Sequence, residues 1–208
     1  MSVGFSTGAY NSAASGNGPL SLTGVTSGQP LIIFCGGVTM PTITDTFATP
    51  YTYTQITTTG GGPSGQLIVG TGGSGTSGTL TSSGDNLILV APCTGASLAS
   101  GAAIIDQSAP SSSNTSTGNV TPSVAGEAVI GMIQSPYEGI DYTGSAYAES
   151  PGQIGGYPVW IAPDDLTPAQ GSPVSFSFGT FGRAAGSIVC CIFPTGYPIV
   201  TAQLVMPL

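Results

Sequence analysis

The sequence predicts an all-β fold, an antiparallel sandwich or barrel, on three observations. Helical periodicity is missing: no long segment places apolar residues at i, i+3, i+4 and i+7, and Gly, Pro, Ser and Thr would weaken any helix. Short runs of β-branched, aliphatic and aromatic residues instead recur roughly every 8–15 residues, bounded by turn formers. Those runs also keep the chain from reading as disordered, despite 33 Gly and 17 Pro in 208 residues. Hydrophobic residues make up 40% and mean hydropathy is +0.32, whereas disorder needs low hydrophobicity and many charges.

In chain order the expected strands are Val3–Tyr10, Leu20–Val25, Pro30–Cys35, Thr42–Thr46, Tyr51–Thr57, Gln66–Gly70, Asn86–Ala91 and Ala102–Asp106. They continue with Gly118–Pro122, Ala128–Gln134, Tyr157–Ala162, Val174–Phe178, Ser187–Phe193 and Ile199–Val205. Leu31–Phe34 and Leu87–Val90 are apolar on both faces, which places them centrally or against another subunit. Alternation in Tyr51-Thr52-Tyr53-Thr54 and Val174-Ser175-Phe176-Ser177-Phe178 marks half-exposed strands.

Two stretches read as long loops. Gly60–Gly84 contains Gly70-Thr71-Gly72-Gly73-Ser74-Gly75, which fits the glycine fingerprint of a phosphate-binding turn. No helix pattern follows it, so it reads as a surface loop or hairpin tip rather than a nucleotide site. Ser108–Thr117 is the second loop. Asn114-Thr115-Ser116 and Asn119-Val120-Thr121 match glycosylation sequons, a frequent coincidence in a Ser/Thr-rich chain.

Charge excludes more than it suggests. One basic residue, Arg183, stands against nine acids, giving net charge −8 and 5% charged residues where roughly 25% is usual. Histidine and lysine are absent, so Ser–His and Cys–His pairs, a lysine Schiff base and His-ligated zinc are impossible. Nucleic acid is not an expected partner, since phosphate contacts need Lys and Arg. Nor is a membrane expected, because no stretch nears the roughly 20 apolar residues of a helical span.

Cys35, Cys93, Cys190 and Cys191 show no Cys-x-x-Cys spacing. They read as buried thiols, although a bridge from Cys35 to one of the adjacent pair stays open. In a strand, Cys190 and Cys191 must face opposite sides.

Carboxylates are the conventional catalytic groups left in quantity. Asp164-Asp165 and Glu138/Asp141 lie near Trp160, Tyr137, Tyr142, Tyr147 and Tyr157, as a glycosidase would require, but their spacing specifies no acid–base pair. Asp45-Thr46-Phe47 lacks the glycine of an aspartic-protease motif. No cofactor is expected, and catalysis is not. If an ion is held, the hard oxygen donors of Glu138–Asp141 or Asp164-Asp165 suit calcium, which would stiffen residues 136–165. Trp160 and Tyr157 are the candidate glycan contacts, since flat rings stack on sugar faces.

Three opening segments, Asn11–Gly16, Leu20–Val25 and Gly28–Gly37, precede Thr42-Ile43-Thr44-Asp45-Thr46 and Tyr51-Thr52-Tyr53-Thr54. Asp106-Gln107-Ser108, then Ser123–Gly131 with Glu127 where Asp is more usual, and then the apolar run Gly186–Phe193 follow. This order resembles Ser/Thr/Gly-rich β-sandwich structural proteins of tailed-phage virions. The resemblance implies a jelly-roll-like sandwich over residues 1–194 with long Gly/Ser/Thr loops. It also implies a place in a virion, as capsid decoration (cement), tail or fibre protein. Residues 195–208 extend beyond it as an added strand or an arm onto a neighbour.

The expected function is therefore capsid decoration through protein contacts, with the major capsid or other virion proteins as partners. A homotrimer is expected by analogy. The N-terminus lacks the basic and apolar regions of a secretory signal, which suits assembly in a host cytoplasm. Ile199, Val200, Leu204 and Val205 are the candidate interface residues. Arg183 joins them, to hold a carboxylate or chain terminus across a subunit boundary. The alternative is a carbohydrate-binding or adhesin module of a tail fibre or cell surface.

Overall fold

The computed structural model describes residues 3–5, 11–12, 19–36, 42–59, 65–83, 87–96, 101–111, 116–134, 158–161, 167–176 and 186–196. Among them the chain is all-β, with no α-helix. The strands are β1 (Gly4–Phe5), β2 (Asn11–Ser12), β3 (Leu20–Thr23), β4 (Leu31–Gly36), β5 (Ile43–Asp45), β6 (Thr52–Thr58) and β7 (Gly65–Thr71). They continue as β8 (Ser77–Ser82), β9 (Leu87–Thr94), β10 (Ile105–Ser111), β11 (Ala128–Gln134), β12 (Pro158–Ile161) and β13 (Gly186–Ile192). One 3-10 turn, Gly101–Ile104, leads into β10.

Every pairing between these strands is antiparallel. A central sheet runs β1-β9-β4-β7-β6, with β2 also on β9; a second runs β10-β13-β11-β12; a third runs β3-β8-β5. The alternating residues of β4 explain the layering. Ile32 and Phe34 join Leu67, Val69, Ala91 and Cys93 on one face of the central sheet. There they pack against Ala128 and Ile130 of β11 and Ile188, Cys190 and Ile192 of β13. Leu31, Ile33 and Cys35 point the other way, with Ile68 and Val90, onto Leu20, Leu22, Ile43 and Leu80 of the third sheet.

The central sheet is thus covered on both faces, and Leu31, Ile32, Ile33 and Phe34 are all fully buried. A strand buried on both sides must be apolar throughout, which is the pattern of that run. Central placement, one of the two readings open for Leu31–Phe34, is the observed one.

Some boundaries differ from the expectation. Gly60–Gly84 is not mainly loop: β7 and β8 occupy most of its described part. The only large apolar anchor of β8 is Leu80, and pairing with β3 and β5 makes the strand. Gly72 and Gly75, at φ +76° and +116°, supply the turn between β7 and β8. Ser108–Ser111 likewise belongs to β10 and pairs with β13, not to a loop. Ala102–Ile104 forms the 3-10 turn instead of a strand, and Gly118–Pro122 contributes one isolated bridge, Val120 to Val174.

All four cysteines are buried free thiols. Cys190 faces the core between the central and second sheets, while Cys35 faces the third sheet across the central one. That separation excludes a bridge between them, because the β4 layer stands in the way. Cys191 takes the opposite face from Cys190, as adjacent strand residues must.

Candidate functional site

Of the ten charged side chains, Asp45, Asp106 and Glu127 fall among the described residues, and each is built into the fold. Asp45 ends β5. Its Oδ1 accepts from the Phe47 amide at 2.9 Å, and Oδ2 accepts from the Tyr51 amide at 2.9 Å and the Tyr53 hydroxyl at 2.6 Å. One carboxylate therefore ties the β5–β6 connection to the start of β6. Burial and the nearby carboxylate push the Tyr51 hydroxyl up to about 12, and Tyr53 higher still.

The rings that Asp45 places sit on glycines. Phe47 meets Tyr51 edge to face, with centroids 5.1 Å apart. A methyl group on Gly78 would lie 2.5 Å from the Phe47 ring, and one on Gly73 would overlap the Tyr51 ring. Thr44-Asp45 and the Tyr-Thr strand, separate signals in the sequence, prove to be one hydrogen-bonded corner. Asp45 is a positioning group there, and both of its oxygens are taken up by hydrogen bonds.

The second polar centre lies where β10, β11 and β13 meet. Glu127 precedes β11 and is fully buried. Its Oε1 accepts from the Ser123 hydroxyl at 3.1 Å and the Val124 amide at 3.0 Å. Oε2 is buried with no hydrogen-bond partner. Asp106 of β10 closes on the same residue, accepting from the Ser123 amide at 3.2 Å. Burial first, then the Asp106 carboxylate, raise Glu127 to about 7. Burial and these two carboxyls push the Cys191 thiol up to about 12.

A raised carboxyl beside a second one suits acid–base chemistry in principle. Here Glu127 is enclosed by its own turn and offers no face to a substrate. A separate open cleft of about 230 Å³ is lined by Thr26, Ser27, Gln29, Thr94, Gly95 and Thr195, among others. It carries no ionisable group except the buried Cys93 thiol, and it is smaller than the roughly 300–1,000 Å³ usual for ligand pockets.

The outer face of the third sheet has a different character. Strand alternation turns Leu20, Leu22 and Leu80 inward and leaves Ser21, Thr23, Ser77, Thr79, Thr81 and Thr44 outward. Cross-strand register sets Ser21 opposite Thr79, Thr23 opposite Ser77, and Thr44 opposite Thr81. The result is a two-dimensional array of hydroxyls without a formal charge.

Among the residues expected at functional sites, Trp160 lies in β12, its backbone opposite Met132 of β11. Tyr157, Arg183, Ile199, Val200, Leu204 and Val205 lie outside the described residues, as do Tyr137, Tyr142 and Tyr147. So do the carboxylates Glu138, Asp141, Asp164 and Asp165, and with them the calcium reading. Among the described residues no group of three or more His, Cys, Asp or Glu is placed to hold a metal ion, and no helix is long and apolar enough to cross a membrane. The Asp106–Glu127 centre had one trace in the sequence, a Glu in an otherwise small and apolar Ser123–Gly131 run. No protein-family model matches the chain, and neither a curated protein nor a solved structure is significantly similar to it.

Proposed function

We propose that this chain is a structural protein of a virus particle, a capsid decoration protein of jelly-roll-like build that acts through contacts with the major capsid and with its own copies. One observation supports the reading most. The described acids are consumed by internal turns, and the outward positions of the third sheet carry hydroxyls instead of charges. Such a surface gives weak long-range steering and little charge desolvation when it is covered, which favours broad, permanent contact. In this reading a trimer is the working unit, and Arg183, Ile199, Val200, Leu204 and Val205 contribute to its boundaries.

Electron microscopy of intact particles with and without the protein tests this, together with its mass by size exclusion. Regular density on the shell and a trimeric mass are the expected results. A monomer with no affinity for particles would overturn the proposal. Binding should also change little between low and moderate salt, because few charges contribute.

A second reading is a carbohydrate-binding or adhesin module, favoured by the uncharged hydroxyl array on the third sheet and by Trp160 on β12, an end strand of its sheet. A glycan array hit lost in Trp160→Ala or Tyr157→Ala would select it.

A further inference from the structure

We propose that Glu127 and Asp106 form a proton-dependent latch, in which Glu127 is protonated toward Asp106 in the closed fold and its ionisation loosens the 120–126 turn. The geometry begins with Ser123. Its hydroxyl is held by Glu127 and its amide by Asp106, so two carboxyls converge on one residue. Glu127 is fully buried and its Oε2 receives no hydrogen bond. A second negative charge there would be buried, unsolvated and beside a like charge, whereas a proton turns the orphan oxygen into a donor.

The Ser123 hydroxyl and the Val124 amide favour the charged form of Glu127, but burial and the Asp106 carboxylate outweigh them. Asp106 comes from β10 and Cys191 from β13, neither brings a positive charge, and no described residue supplies a cation. The burial-driven rise of Glu127 to about 7 puts the change in the neutral range.

The turn is a junction, so loosening it has reach. The Thr121 amide donates to Gln107 Oε1 at 3.0 Å, and the Gln170 side-chain amide donates to the Ser123 carbonyl at 2.6 Å. The Gly171 amide donates to the Pro122 carbonyl at 2.8 Å, and the Val3 amide to the Gly126 carbonyl at 3.2 Å. Four segments of the chain meet at this turn.

The sign follows from linkage. A carboxyl raised in the folded state contributes stability that is complete below its unfolded value of 4.5 and is lost as pH rises through about 7. At most one proton is involved, so the folding constant falls by no more than about tenfold per pH unit across that window.

The test compares the full chain with Glu127→Gln in denaturant titrations from pH 5 to 9, with hydrogen exchange at the Val124 amide corrected for its intrinsic pH dependence. The glutamine amide can donate to Asp106 as the protonated acid does, at every pH. The variant is expected to match the parent near pH 5 and exceed it at pH 8, with Val124 protection falling only in the parent. A stability difference that does not change with pH would overturn the latch. If Glu127→Gln does not fold, Asp106→Asn serves. Removing the like charge should move the parent's loss of stability to lower pH, and an unmoved profile also overturns the proposal.

Discussion

The two faces of the central sheet solve the same burial problem with different chemistry. On the face toward β11 and β13, strand meets strand, and the contact is made by Ile, Val, Leu, Ala, Cys and one Phe in simple alternation. On the face toward β3, β8 and β5, part of the cover comes from a turn, with Phe47 and Tyr51 seated on glycines and tied down by Asp45. The first core is specified by pattern and can absorb conservative change. The second depends on a carboxylate, two rings and two missing β-carbons acting together, so errors there should be coupled.

That contrast can be broken most sharply with volume. Phe34→Ala empties the first core at its largest fully buried side chain and should lower stability by about 3–5 kcal/mol in denaturant unfolding. A loss below about 1 kcal/mol would mean that this face is loosely packed.

Next in size are the overpacking variants of the second core. Gly78→Ala pushes a methyl group against Phe47 and should cost about 1–3 kcal/mol. Adding Phe47→Leu should recover part of that loss, whereas strictly additive effects would show that ring and glycine are not coupled.

Asp45→Asn sharpens the comparison at an amplitude no larger than that. The side chain keeps its shape, but one acceptor oxygen becomes an NH2 donor, so the Phe47 amide or the Tyr51 amide loses its partner and the remaining bonds lose the charge that strengthens them, for a loss of about 1–3 kcal/mol. The same change should bring the Tyr53 hydroxyl back toward its ordinary titration range, read by ultraviolet absorbance at high pH. Tyrosine titration that does not move would separate Asp45 from the Tyr53 hydroxyl that donates to it.

Legibility in the sequence followed the same divide. Pro30–Cys35, Ala128–Gln134 and Ser187–Phe193 are dense in β-branched or aliphatic residues, and strands stand at or within a residue of each. β8 was not readable, because Ser77-Gly78-Thr79-Leu80-Thr81-Ser82 carries one large apolar residue and becomes a strand by being paired on both sides. Gly78 looked like a loop residue, yet its role is to leave room for a ring that lies 31 positions earlier. Asp106 and Glu127 were equally opaque: 21 positions apart, they come together only because β10 and β11 both flank β13.

By itself the sequence determined the strand-rich class, the apolar two-faced character of Leu31–Phe34, and the chemistry that absent histidine and lysine forbid. Those properties reside in composition and in a period of two, both of which are local. Tertiary structure decided which face each cysteine takes, that Asp45 fastens a corner, and that two acids in a chain of ten charges converge on Ser123. Pairing brings distant residues together, and burial then changes what a carboxyl group does, an effect that no short stretch of sequence carries.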